Sequence, residues 1–88
     1  MKVEFSGSFR KDLERVLNPR TLARFERVLD EMRNARELNE VRNLKRLKGS
    51  RSFYRIRVGD YRLGFELIGG SVRFLRCLPR KEIYRQFP

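Results

Sequence analysis

The stretch from Ser52 to Tyr84 admits few folds. It reads S-F-Y-R-I-R-V-G-D-Y-R-L-G-F-E-L-I-G-G-S-V-R-F-L-R-C-L-P-R-K-E-I-Y, with Gly59-Asp60 and Gly69-Gly70 punctuating segments of alternating apolar and polar residues. Dipeptides of this kind favour the φ > 0 conformations that two-residue hairpin turns need. Consecutive antiparallel strands are therefore predicted. A turn at Gly59-Asp60 sets Val58 opposite Tyr61, Arg57 opposite Arg62 and Ile56 opposite Leu63. Successive side chains point to opposite faces of a strand. Tyr54, Ile56, Val58, Tyr61, Leu63 and Phe65 then form a core surface, and Arg55, Arg57 and Arg62 gather on the other face.

Like charges directly across a strand pair are destabilising, so this hairpin gives up stability locally. A bound polyanion relieves the repulsion, and the arginine fork suits phosphate because it bonds two oxygens at once. The plain alternative is a solvated basic face. Convergence on one hairpin favours the anion site. The whole chain agrees in sign: it has 88 residues and a net charge of +11, which points to a polyanionic partner. The excess is uneven. Residues 45–88 carry twelve basic against three acidic residues, whereas residues 1–44 carry ten against eight.

A chain this short, 40% hydrophobic and 38% charged, is expected to make one small domain over residues 1–88. Lys2 to Phe5 reads as a first strand. Ser6 or Ser8 is expected to cap a helix carrying Phe9, Leu13, Val16 and Leu17, and Asn18-Pro19 to open a second with Leu22, Phe25, Val28, Leu29 and Met32 as its apolar stripe. Residues 34–43 are open between an extension of that helix and a loop with a short helical turn. Leu44 and Leu47 suggest a short edge strand, which Lys45, Arg46 and Lys48 would protect from wrong pairing. After Gly69-Gly70, Val72 should face Leu67, Phe74 face Phe65, and Arg73 face Glu66. Strict alternation would put Arg76 on the core face opposite Leu63, so either a bulge intervenes or it lies beyond the core. Pro79 ends the strand, and Lys81 to Phe87 form a last helical turn docked by Ile83 and Phe87. The expected class is α+β: a two-helix hairpin on a mostly antiparallel sheet, in the order β-α-α-β-β-β-β with a short C-terminal helical turn.

The chemistry available is narrow. There is no histidine, and Cys77 is the only cysteine, so no intrachain disulfide and no Cys/His zinc site can form. Cys77 reads as a small buried residue in a reducing compartment. The carboxylates of the basic half, Asp60, Glu66 and Glu82, are dispersed, unlike those of metal-dependent nucleases, and no cofactor loop is present. The N-terminus lacks an apolar leader core and no run approaches membrane-spanning length; a soluble, cytoplasmic protein is expected. Arg, Lys and Tyr remain. They suffice to promote RNA cleavage by attack of a 2′-hydroxyl on its neighbouring phosphate, because the substrate supplies the nucleophile. Guanidinium groups stabilise the developing charge, and nearby arginines lower a tyrosine from its reference pKa of about 10.

The element order, the segment L-K-R-L-K-G, the motif Y-R-I-R-V-G-D-Y-R and the closing P-R-K-E-I-Y together resemble the RelE/ParE toxin superfamily, specifically its RelE branch. The similarity covers essentially the whole chain. Each piece alone is weak, but Y-R-I-R-x-G-x-Y-R followed by R-x-x-x-Y is fairly specific. The resemblance implies the toxin of a type II toxin–antitoxin pair, a metal-independent endoribonuclease that cuts mRNA in the ribosomal A site. It implies that Arg55, Arg57, Arg62 and Arg80 bind the scissile phosphate, and that Tyr84 orients or deprotonates the 2′-hydroxyl or stacks on a base. Lys45, Arg46, Lys48, Arg51 and Lys81 are the further candidates for contact with mRNA or ribosomal RNA. The family's bacterial type member has lysines where Arg55 and Arg57 stand. Arginine is never deprotonated in proteins, which leaves the general acid open. The expected partner is a cognate antitoxin, acidic or folding onto apolar grooves. Two rivals share the fold: a ParE-like inhibitor of DNA gyrase, and a basic RNA-binding module without catalysis.

Overall fold

The chain adopts the hairpin register that Gly59-Asp60 dictates. In the computed structural model, which describes residues 1–88, strand β3 (Phe53–Val58) pairs antiparallel with β4 (Tyr61–Ile68) and sets Val58 on Tyr61, Arg57 on Arg62 and Ile56 on Leu63. Gly59 has φ +60° and Gly69 and Gly70 have φ +52° and +81°, the left-handed region these turns require. Strand β5 (Ser71–Pro79) returns along β4 with Phe74 on Phe65, Arg73 on Glu66 and Val72 on Leu67. Arg73 and Glu66 face each other in register without forming an ion pair.

Strand β1 (Lys2–Phe5) lies parallel to β5, and β2 (Leu44–Arg46) lies antiparallel to β3, giving a five-stranded sheet in the order β1-β5-β4-β3-β2. Helices α1 (Gly7–Glu14) and α2 (Pro19–Asn34) cover one face. Ser6, not Ser8, is the N-cap of α1: its hydroxyl accepts from the Phe9 N–H at 3.0 Å and donates to the Leu75 carbonyl at 3.0 Å. Asn18 caps α2 by accepting from the Arg20 N–H at 2.9 Å, with Pro19 in the first turn.

The main core joins Phe9 and Val16 to Phe25, Leu29 and Met32 and to the sheet residues Ile56, Val58, Leu63, Phe65, Val72 and Phe74. Full burial of each such side chain stabilises the fold by about 1.5–3 kcal/mol. Tyr54 stacks on Phe65 at 5.2 Å and Tyr61 meets Phe25 edge-on at 5.5 Å, so both tyrosines belong to the core side. The first helix is shorter than its apolar spacing suggests. It stops at Glu14, and Leu17 is 84% exposed, because the chain turns there to reach the Asn18 cap. Of residues 34–43, only Asn34 belongs to α2, which ends there with Ala35 as its C-cap. The rest form a loop with one 3₁₀ turn, Leu38–Glu40, in which the Glu40 carboxylate accepts from the N–H groups of Arg36 and Glu37, both at 2.9 Å.

Arg76 escapes the core through a bulge. The β4–β5 register slips between Gly64 and Phe65, so that Leu75 has no partner and Arg76 pairs with Gly64 instead of Leu63. Its guanidinium reaches Asp12 of α1 in a two-pronged contact at 2.8 and 3.1 Å. Asp12 is only 5% exposed and also accepts the Cys77 N–H at 2.9 Å, serving β5 where β1 has ended. Burial, and then the Asp12 charge, pushes the Cys77 thiol up to about 12, leaving it protonated and inert.

Helix α3 (Arg80–Gln86) follows β5 without a linker and folds onto the other face of the sheet. Ile83 and Phe87 anchor it against Leu78, with Leu47, Phe53 and Leu75 packed around them. Gly64 makes this possible: a Cβ there would stand 2.8 Å from three atoms of the Phe87 ring. Gly64→Ala is therefore expected to destabilise the chain by about 1–3 kcal/mol through overpacking. Thermal unfolding measures the loss, and proteolysis should release the C-terminal helix first.

Candidate functional site

Alternation along β3 and β4 puts Arg55, Arg57 and Arg62 on the face away from α1 and α2. Lys45 joins them as the register partner of Arg55 across the β2–β3 pair. Helix α3 packs over Leu78 on this face and brings Tyr84 up to Arg55. Beside them lies a cleft of about 330 Å³ lined by Asn43, Lys45, Arg55, Arg57, Arg62 and Tyr84.

Each guanidinium is held by an uncharged partner. Arg62 donates to the carbonyls of Gly59 and Tyr61 at 3.0 and 2.9 Å. Arg57 donates to the Asn43 side-chain oxygen at 3.2 Å, and its main-chain N–H to the Asn43 carbonyl at 3.1 Å. Arg55 lies over the Tyr84 ring, 4.5 Å from its centre, a cation–π contact. The chain's ion pairs are Lys2–Glu4, Asp30–Arg33 and Asp12–Arg76. No carboxylate neutralises Arg55, Arg57, Arg62 or Arg80. The charge of the cleft is free to meet a ligand.

Arg80 and Tyr84 sit one turn apart on α3, where residues at i and i+4 share a face. The start of the helix is fixed to the hairpin by the Arg80 N–H, which donates to the Asp60 carbonyl at 2.9 Å. Tyr84 is 53% exposed. Its hydroxyl is held below the ordinary phenol value, chiefly by the nearby Arg80 side chain and then by the positive charge of Arg55 and Arg62. Positive neighbours favour the phenolate. Such a group, beside unpaired guanidiniums, can take a proton from a hydroxyl while the arginines hold an anion.

The other candidate contacts are spread more widely. Arg46 pairs with Tyr54 and so leaves β2 on the opposite face from Lys45. Lys48 and Arg51 lie in the β2–β3 loop and Lys81 on α3; all three are exposed and outside the cleft lining. Sequence reasoning missed Asn43. Its φ of +62° is a conformation that asparagine tolerates better than most residues. An asparagine immediately before a strand was the available signal. No three Cys, Asp or Glu side chains converge anywhere in the chain, and no helix is long and apolar enough to cross a membrane.

A family model described as the ParE toxin of the type II toxin–antitoxin system, parDE, matches residues 3–84. The chain is 42% identical to Toxin RelE3 of Methanocaldococcus jannaschii, with 100% of both chains covered. Among solved structures, the RelB–RelE antitoxin–toxin complex from Methanococcus jannaschii matches with a TM-score of 0.82 at 39% identity, covering 97% of this chain and 99% of that one. The archaeal RelE–RelB complex from Pyrococcus horikoshii OT3 shares the fold, with a TM-score of 0.73 at 24% identity over 90% of this chain and 93% of that one. The chain belongs to the RelE/ParE superfamily, the toxins of type II toxin–antitoxin systems.

Proposed function

We propose that this toxin, the partner of a RelB-like antitoxin, is a ribosome-dependent, metal-independent endoribonuclease acting on mRNA in the A site. The observation that carries the reading is the set of arginines around one cleft with no carboxylate among them, beside a tyrosine whose phenol is lowered. Tyr84 takes the proton of a 2′-hydroxyl, whose oxygen attacks the adjacent phosphorus. The bond from phosphorus to the 5′-oxygen breaks, leaving a 2′,3′-cyclic phosphate and a 5′-hydroxyl. Arg55, Arg57, Arg62 and Arg80 stabilise the charge that builds on the phosphate oxygens. Arginine is a poor donor, so the leaving oxygen is protonated by solvent or a ribosomal group. Purified toxin added to programmed ribosomes should cut at defined codon positions and leave those two ends; intact mRNA would defeat the proposal.

Tyr84→Phe separates a proton-transfer role from stacking. Cleavage is expected to fall by about 10²-fold or more, with a smaller change in ribosome affinity. The pH profile gives the sign. The phenolate fraction rises with pH through a value below the reference of about 10, so wild-type cleavage should climb along an alkaline limb that the phenylalanine variant lacks. Equal losses in cleavage and binding, with the limb retained, would assign Tyr84 to stacking.

The match to the ParE family model supports a second reading, inhibition of DNA gyrase. Gyrase-mediated DNA breakage in the presence of the toxin, with mRNA left intact, would establish it.

A further inference from the structure

A second depression of about 200 Å³ adjoins the cleft between α2 and the β3–β4 hairpin, and its lining includes Arg24, Arg27, Glu31, Asn43 and Arg57. Asn43 and Arg57 line both hollows, so the two are continuous around the Arg57 guanidinium. Arg24 rests against the turn: a Cβ on Gly59 would stand 2.7 Å from its Nη1. Arg62 donates to the Gly59 carbonyl at 3.0 Å, and the hairpin tip is thus bracketed by guanidiniums from two elements. Arg24 and Arg27 are exposed and lie three residues apart on one side of α2. Neither forms an ion pair; the one ion pair on α2 is Asp30–Arg33.

We propose that this depression is a phosphate subsite that receives the RNA backbone as it leaves the cleft. Arg24 and Arg27 grip phosphates flanking the scissile one, and Arg57 stands at the junction. The inference rests on the reading of the cleft as an RNA site. A chain with a charge on every nucleotide presents further phosphates on either side of the scissile one. The lining of the depression sets three guanidiniums, Arg24, Arg27 and Arg57, against one carboxylate, Glu31. The scarcity of apolar lining argues against a peptide anchor, because protein partners are held by buried aromatic or aliphatic side chains.

The test uses the whole chain and 2′-O-methyl RNA, which lacks the nucleophile and stays intact. Oligonucleotides of about four and about twelve nucleotides lie at the short end of, and well within, the usual span of a single-strand groove; affinity is followed by fluorescence anisotropy across a salt series. The double variant Arg24→Ala/Arg27→Ala should weaken binding of the longer RNA. It should flatten its salt slope by about 1.4, at roughly 0.7 for each lost phosphate contact. The shorter RNA should be unaffected, and Arg24→Lys/Arg27→Lys should restore most of the slope, which also controls for folding. An unchanged slope with the longer RNA overturns the proposal, as does an equal loss with both lengths. If Arg62→Ala weakens the shorter RNA while the double variant has no effect on the longer one, this subsite alone is overturned. If Arg62→Ala affects neither RNA, the cleft reading falls and the subsite with it.

Discussion

Arg62→Ala is expected to abolish growth arrest and to lower cleavage by about 10²–10³-fold, the loss that follows removal of one preorganised transition-state donor, while the variant should fold as well as the parent or better. The two halves of this result have separate causes. Arg62 is held by two carbonyl oxygens, at 3.0 and 2.9 Å, and so points into the cleft before any ligand arrives. That preorganisation is lost with the side chain. Arg62 also faces Arg57 directly across the strand pair, and removing one of two like charges so placed relieves repulsion by up to about 1 kcal/mol. Measured cleavage on programmed ribosomes and a melting curve of the same preparation test both halves together. A fully toxic variant, or one that is inactive because it has unfolded, contradicts the assignment. Arg80→Ala should also abolish growth arrest, but without the gain in stability, since no guanidinium faces it across a strand pair.

The largest effect on stability is expected far from the cleft. Asp12→Ala removes both prongs from Arg76 and leaves the Cys77 N–H unpaired in a buried place. Breaking a buried ion pair from one side costs about 3–5 kcal/mol, and the partial exposure of Arg76, 25% on its side chain, sets the expectation near the lower end, at about 3 kcal/mol. For a domain of this size each kcal/mol moves the unfolding midpoint by about 4–8 °C. A drop of roughly 12–24 °C should follow. Asp12→Asn keeps an oxygen for the Cys77 N–H and should lose clearly less. Equal losses for the two variants would show that charge, and not the main-chain bond, is what Asp12 supplies.

What could be read in advance follows from the range of the forces involved. The hairpin register, the two faces of β3 and β4, the Asn18 cap and the α2 stripe depend on neighbours within a few residues, and patterns of spacing record them, whereas the choice of Ser6 over Ser8 goes with a bond to the distant Leu75 carbonyl. The meeting of Arg55, Arg57 and Arg62 on one face belongs to this class. Arg80 and Tyr84 do not. Their approach to the cleft depends on how α3 folds back, which in turn depends on Phe87 lying flat on Gly64, and only likeness to other toxins had suggested it. The bulge at Leu75 was visible as a contradiction, a charged residue scheduled for the core, but its resolution required Asp12, sixty-four residues away. Leu17 shows the opposite failure. Its spacing fits the helix, yet the turn into the Asn18 cap ends the helix first and leaves that side chain in water.

The bond from the Arg80 N–H to the Asp60 oxygen has an effect on how this protein will look to mutagenesis. It latches the helix that bears Arg80 and Tyr84 onto the turn that pairs Arg57 with Arg62, and both its atoms belong to the peptide backbone. An alanine scan will accordingly score Asp60 as dispensable, although the joint between the two halves of the constellation runs through its carbonyl.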